Sequence, residues 1–416
     1  MILKSNGNIQ YKPSGVDAQK MHCFRCSNRD RSLFHTFLDT YLNKRVTYCL
    51  NCINLGRSDS ARPLMMIDSK RTKEACSYHL DFSLSEVQQS ASKRIVEAVK
   101  QGTHILLYAV TGAGKTEITF EAIKYARNSG KRVAFVSPRI DVVKEIHLRL
   151  TAAFKNSEID LMYSGVKVEY THSFTVCTAH QLYNYIDHFD VIIVDEYDAF
   201  PLQGNPQLLN AIDRALSKSG SVVIMTATPT KKMIRYVGRE NVVSITRRYH
   251  GKDLAVPNVI YTDINKALEK RKTPVKLFDL IRKIQGDKRR VLVFVPRISM
   301  LKQLAPVVEK AFENTASVYS ADAERYGKVE MMRQDDTDVL LTTTILERGV
   351  TFNRLDVIVV QADEFKSDSL IQICGRVGRK TTDPVGNIYF LSSCHTGDIR
   401  KTIKVIRQFN RGKTSV

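Results

Sequence analysis

The chain has 416 residues, 63 Lys and Arg against 43 Asp and Glu, and a formal net charge of +20. That length allows two or three domains with separate cores, and nothing in the composition reads as disordered. No apolar run approaches the roughly 20 residues of a membrane helix, and the opening stretch "MILKSNGNIQYKPSG" lacks a signal-peptide core.

The expected location is therefore the cytoplasm, with a peripheral seat at the cytoplasmic face of the membrane left open. The basic excess is spread along the chain rather than confined to a tail, which points to a polyanionic partner. Nucleic acid is the first candidate and an anionic membrane surface the second.

Residues 1–75 carry two CxxC pairs, Cys23 with Cys26 and Cys49 with Cys52. In a reducing compartment disulfides are disfavoured, and two such knuckles deliver four thiolates to one tetrahedral Zn²⁺ with no open position. The expected role is structural. Between the pairs, Arg29, Arg31, Lys44 and Arg45 flank Phe34, Phe37 and Tyr41, a composition that suits a nucleic acid or a protein partner equally. The lone pair Cys76 and His79 is too weak a pattern for a second metal site. Cys177, Cys374 and Cys394 are expected to pack as small hydrophobes.

A boundary is expected near residue 80, after the polar run "DSKRTKEACSY". In the expected domain 76–250, strands and helices alternate from Leu84 to about Thr246, which predicts a parallel α/β sheet. The stretch "HILLYAVTGAGKTEITF" from His104 sets a buried strand, a glycine loop and an amphipathic helix in that order. Thr111, Gly112, Ala113 and Gly114 would curl the backbone so that its N–H groups cradle phosphates at a helix N-terminus. Lys115 would reach the β- and γ-phosphates of ATP, and Thr116 offers a hydroxyl to Mg²⁺. The first glycine of this phosphate-loop pattern is replaced by Ala109.

Farther on, "FDVIIVDEYDAF" places three acids at the end of an apolar strand, where open α/β sheets bind ligands. Asp195 would hold Mg²⁺ and Glu196 would polarise the attacking water. The segment "RRYHGKDLAVP" then breaks the alternation. Beyond it, from 251 to 416, a helix around Val275–Ile284 and strands at Val291–Val295, Asp338–Thr343 and Asp356–Val360 predict a second α/β unit.

These motifs carry a resemblance. "DEYD" resembles a DExD box, "TATP" with Thr226 and Thr228 the coupling motif that follows it, and "QICGRVGR" the arginine-finger motif of superfamily 2 helicases. "LSEVQQSAS" resembles the glutamine motif, which would place Gln88 on adenine. "VSPRIDVVKEI" and "TVCTAHQL" resemble the strand-grip motifs of the first core, and "VLVFVPRISML" and "LLTTTILERGVTF" those of the second. The resemblance implies an α/β fold of two RecA-like parallel-sheet domains, the superfamily 2 helicase core, behind a small four-cysteine zinc module. It also implies that Gln372 and Gly349 contribute to the nucleotide site, and that Arg376 and Arg379 act as arginine fingers.

A four-cysteine module ahead of such a core, on a basic chain of this length, resembles the ComFA family of competence ATPases, itself similar to the primosomal helicase PriA. Membership would imply a motor driven by single-stranded DNA that serves transformation, a ComFC-like partner and a DNA-uptake channel at the inner face of the membrane. A homo-oligomer is compatible with it. One departure stands out: after Arg348 and Gly349 the acid common in superfamily 2 is absent, and Thr351 is the candidate substitute for its hydrogen bond.

Two other readings compete. One is a PriA-like or DEAD-box helicase acting on DNA or RNA, which a test for 2′-hydroxyl preference separates. The other is a zinc-anchored adaptor that binds ATP as a switch. The sequence supports translocation and identifies no wedge for strand separation.

Overall fold

The computed structural model describes residues 2–4, 10–68, 71, 73–166, 173–270, 272–379 and 382–412. Residues 69, 70 and 72 of the polar run between zinc module and core lie outside that set. The chain divides into two compact units: Met1–Tyr108 with Lys115–Val243, and Ala109–Gly114 with Ser244–Val416.

The first unit is built on a seven-stranded sheet in the order Asp160–Met162, Phe174–Thr178, Val133–Ser137, Phe189–Val194, Leu216–Thr226, Ile105–Ala109, Val242–Ile245. The pairings from Asp160–Met162 across to Ile105–Ala109 are parallel. Four of these strands, Ile105–Ala109, Val133–Ser137, Phe174–Thr178 and Phe189–Val194, are buried at every position. Burial on both faces, rather than on alternate positions, marks a sheet covered on both sides, and Ile105–Leu107 and Val191–Val194 read accordingly as unbroken aliphatic runs.

Parallel pairing brings the carboxyl ends of these strands to one edge. Val194 is in register with both Val136 and Ile224, and Thr226 with Tyr108. Helix Glu86–Gln101 begins at a capping box: Ser85 Oγ accepts from Gln88 N, and Ser85 N donates to Gln88 Oε1 at 2.8 Å.

The cysteine module belongs to this same unit. Its Ile2–Lys4 strand pairs in parallel with Tyr185–Ile186 of the core and with Leu64–Asp68, and Leu64–Asp68 pairs antiparallel with Gln10–Lys12. A hairpin, Phe34–Asp39 with Lys44–Cys49, leads into the second knuckle, and Tyr41 at its turn is 94% exposed.

The second unit holds a six-stranded, wholly parallel sheet in the order Asn258–Tyr261, Ile388–Ser392, Leu355–Val360, Arg290–Phe294, Val339–Thr342, Thr315–Val318. Helices Val275–Gly286 and Ile298–Glu309 bury Leu277, Ile281, Leu301 and Leu304 against it. Two parallel-sheet α/β units preceded by a four-cysteine cluster are thus present, as the sequence implies. Cysteine packing needs one correction. Cys177 and Cys374 are buried, but Cys394 is exposed, because it lies in the turn after strand Ile388–Ser392 rather than within it.

Candidate functional site

The phosphate loop begins where strand Ile105–Ala109 ends. Gly112 and Gly114 sit at φ +83° and +71°, a region where a side chain would strain the backbone. Lys115 and Thr116 open a short helix, Lys115–Ile118, that is followed by Phe120–Asn128. The sequence pattern predicts one helix there, but Thr119 interrupts it, its hydroxyl donating to Thr116 O at 2.7 Å. Lys115 is half-buried, whereas Thr116 and Ala113 are buried. Within the second unit, Thr111 Oγ1 donates to Gln372 Oε1 at 3.4 Å.

The acid box leaves the sheet at the same edge. Asp195 N donates to Val136 O at 2.8 Å, and Glu196 N donates to Asp195 Oδ1 at 2.9 Å. Glu196 has a φ of +52°, so the chain turns sharply at this residue despite its side chain. Asp198, which the sequence reading treats only as the last acid of the box, is buried. Its two oxygens accept the hydroxyls of Thr226 at 2.6 Å and Thr228 at 2.7 Å, and Thr226 Oγ1 also accepts from Thr228 N at 2.9 Å. Asp198 thereby joins the acid box to the Thr-Ala-Thr-Pro segment. The three-residue spacing from Asp195 was the signal that could have marked it.

Gln88 lies on helix Glu86–Gln101. It is buried at the third position of its helix, with its side-chain oxygen engaged by Ser85 N.

In the second unit, helix Ser367–Cys374 carries Gln372 and ends at Gly375, and Arg376 and Arg379 follow in the loop. Arg376 is buried and donates to Val350 O. Arg379 is partly exposed; its Nε donates to Gly375 O at 2.9 Å, and Nη1 lies 3.4 Å from Val350 O and 3.3 Å from Thr351 Oγ1. Gly349, at φ +74°, turns the chain into that segment. Thr351 therefore hydrogen-bonds an arginine of the loop.

Among the described residues, the four cysteines form the one cluster of metal-ligand side chains. All four are buried and their sulfurs lie within 4.8 Å of one another, with Cys23 to Cys52 and Cys26 to Cys49 at 3.7 Å. A tetrahedron with Zn–S arms of about 2.3 Å has edges of about 3.8 Å, so the cluster fits zinc. Hydrogen bonds from Cys26, Cys49 and Cys52 push the Cys23 thiol far down, and hydrogen bonds to Cys23 and Cys26 help push Cys49 and Cys52 far up. Four buried thiolates need a cation to coexist. Asn28 Nδ2 points at Cys49 Sγ from 3.8 Å, an outer hydrogen bond suited to a ligating sulfur. Cys76 and His79 lie outside the cluster: Cys76 takes a bond from Ser157, and His79 pairs with Asp81 in the open.

The module is packed into the first core. Arg214, on helix Pro206–Ala215, donates to the carbonyls of Phe24 and Arg25 inside the first knuckle. Arg25 Nη2 reaches Asn184 Oδ1 at 2.7 Å, and the cysteines share a hydrophobic cluster with Leu182, Tyr183, Leu208 and Ala211.

Comparison with known proteins agrees with this arrangement. Residues 2–66 match the model of the competence protein ComFA N-terminal domain. Residues 81–231 match the type III restriction enzyme res subunit, and residues 272–381 the helicase conserved C-terminal domain. The competence protein ComFA of Bacillus subtilis (strain 168) is 34% identical over 97% of this chain and 89% of its own length. The chain belongs to the ComFA family. The ComFA of Streptococcus pneumoniae is likewise 34% identical, over 94% of this chain and 91% of its own.

Solved structures share the fold at lower identity. Yeast Dbp5 bound to RNA and ADP BeF3 aligns with a TM-score of 0.57 and 14% identity, covering 79% of this chain and 88% of that one. RecG bound to a three-way DNA junction aligns at 0.53 with 16% identity, covering 80% of this chain and 45% of RecG. This ComFA chain thus has two helicase-family domains, which support an ATPase-type enzyme that binds nucleotide. No helix among the described residues is long and apolar enough to cross a membrane.

Proposed function

We propose that this ComFA chain is an ATP-driven translocase for single-stranded DNA, which moves transforming DNA into the cytoplasm during competence. The observation that carries the reading is the shared carboxyl edge of the first sheet, where the phosphate loop, the acid box and the Thr226–Thr228 segment all emerge. The proposed division is a metal module over 1–75, an ATP-binding core over 76–250 and an arginine-finger core over 251–416.

Lys115 and the backbone of Thr111–Gly114 would bind the phosphates, and Glu196 would orient water for in-line attack. Thr116 and Asp195 would hold Mg²⁺, which supplies charge neutralisation at the phosphates. Arg376 and Arg379 would stabilise the charge that develops on the γ-phosphate, with Gln372 and Gly349 framing their loop and Gln88 on the adenine side. Asp198 would link hydrolysis to strand grip through Thr226 and Thr228. A single strand favouring the closed arrangement of the two cores would raise turnover, and alternating grip would move it. The cysteine module would hold Zn²⁺ as a structural ion. A ComFC-like protein and the DNA-uptake channel at the inner face of the membrane are the proposed partners.

Steady-state hydrolysis by the zinc-loaded chain tests this, measured at fixed salt without nucleic acid and with single-stranded DNA, duplex DNA and RNA of equal length. Stimulation by single-stranded DNA above the others is expected. Equal stimulation by RNA assigns the chain to RNA, and none at all favours an ATP-switch adaptor.

A further inference from the structure

Residues 247–251, Arg-Arg-Tyr-His-Gly, interrupt the alternation of strands and helices and read from sequence as a linker. In the second unit three consecutive side chains of this segment converge on one loop. Arg248 is 3% exposed, and its Nη1 donates to Val377 O at 2.5 Å and Gly378 O at 2.6 Å, while Nη2 lies 3.4 Å from Gly375 O. The Tyr249 hydroxyl donates to Arg379 O at 3.0 Å. His250 Nε2 lies 3.0 Å from Gly378 O. Lys252 N donates to His250 Nδ1 at 3.2 Å, so the ring proton sits on Nε2, which donates to Gly378.

A buried guanidinium is costly unless something opposite in charge or strongly accepting meets it. Among the described residues, every hydrogen bond of Arg248 ends on a carbonyl of this loop, and the neighbouring charge is Arg379, of like sign. What Arg248 meets instead is the end of helix Ser367–Cys374, where carbonyls lack helical partners and the dipole is negative. A planar fork spans several carbonyls at once, which an ammonium does not. The loop is shaped to admit it: Gly378 sits at φ +64°, and a Cβ there would come within 3.0 Å of Arg248 Nη1 and 2.5 Å of Pro384 O. Burial, with Arg379 beside it, lowers the Arg248 pKa to about 9.

We propose that Arg248, Tyr249 and His250 form a latch that holds the Gly375–Arg379 loop in the shape that aims Arg376 and Arg379. They are positioning residues for ATP hydrolysis, acting through the arginines rather than on the nucleotide. The inference rests on the reading of Arg379 as an arginine finger. It also turns a linker into a control element, since whatever displaces residues 248–250 withdraws the support of the finger loop.

The test compares the full chain with Arg248→Lys, Tyr249→Phe, Arg379→Ala and the double variant Arg248→Lys with Arg379→Ala. Readouts are kcat, the Kd of a fluorescent non-hydrolysable ATP analogue, and Tm. Arg248→Lys keeps the charge and loses the fork, so kcat should fall at least tenfold with the Kd within twofold. Tyr249→Phe removes one hydroxyl from a partly exposed ring and should lower kcat two- to fivefold at unchanged Tm, which decides the matter if Arg248→Lys folds poorly. The double variant should be within twofold of Arg379→Ala.

Wild-type kcat in Arg248→Lys or Tyr249→Phe, with Arg379→Ala slow, overturns the latch and leaves the finger standing. Losses that multiply in the double variant also overturn it. A wild-type rate in Arg379→Ala removes the finger reading and the latch with it.

Discussion

Thr226 donates its hydroxyl to Asp198 at 2.6 Å, and both residues are buried. The second carboxylate oxygen takes Thr228 at 2.7 Å, so one acid holds both Thr226, the last residue of the next strand, and Thr228 just beyond it. Such a buried bidentate arrangement transmits a shift at the acid box with little slack. Asp198→Asn replaces one acceptor by an N–H that meets a hydroxyl already committed as a donor to that site. The expected outcome is unchanged ATP binding with nucleic-acid-stimulated turnover reduced about tenfold or more, and a stability loss of about 1–3 kcal/mol from the broken buried bonds. Stimulated and basal hydrolysis, measured side by side with urea unfolding, check it. Stimulation equal to wild type would show that the threonines are held for packing alone.

The link from Arg214 to the carbonyls of Phe24 and Arg25 makes a second prediction, about the metal. A tethered finger would unfold without consequence for the core, but this module shares a hydrophobic cluster with helix Pro206–Ala215. Removal of zinc by chelation, or by Cys49→Ser with Cys52→Ser, should lower the Tm of the first unit by about 5 °C or more. Arg214→Ala should lower it by about 3 °C while retaining zinc. Metal content and calorimetry on the same samples settle it, and a zinc-free chain melting at the wild-type temperature would contradict the shared core.

What the sequence made legible follows from where local chemistry is sufficient. Gly112, Gly114 and Lys115 read as a phosphate loop from sequence because only a narrow set of residues tolerates that backbone and would meet that charge. The paired cysteines read as one cluster for the same reason, and the fold brings their four sulfurs together. Asp198, Arg214 and Arg248 were not read as functional, because their roles depend on partners far away in sequence: Arg248 acts on Val377 and Gly378, and Arg214 on Arg25. Cys394 was misplaced because it lies two residues beyond the end of strand Ile388–Ser392, where burial has given way to exposure. Gln88 matched a motif, yet its oxygen is engaged in a helix cap, a competing use that sequence position alone does not rank.

The nucleotide site yields a third set of expectations, separable by step. Lys115→Ala should abolish hydrolysis by removing the mobile charge at the phosphates. Glu196→Gln should bind ATP and fail to turn it over, giving a trapped complex. Arg379→Ala should slow turnover by about a thousandfold with little loss of binding, the scale typical of an arginine finger. Single-turnover hydrolysis and equilibrium binding distinguish the three. Tight binding with normal turnover in Glu196→Gln would require another residue to orient the water.

The last prediction concerns acid stability and rests on His188. This residue is buried beside Phe189, with Arg132 Nη1 lying 3.4 Å from its Nδ1. Burial, with the charges of Arg132 and Arg71 adding to it, holds its pKa well below 6.5. In the folded chain the ring is neutral at pH values where the unfolded chain binds a proton, so stability is full above about pH 6.5 and falls as pH drops below it. Between pH 7.5 and 5.5 this one group should cost the first unit about 1.4 kcal/mol. His188→Gln should remove that increment, so its urea-unfolding free energy should fall less over the same interval than the wild type's. Equal losses in the two proteins would mean that His188 keeps its proton in the folded chain and that Arg132 is held off by other means.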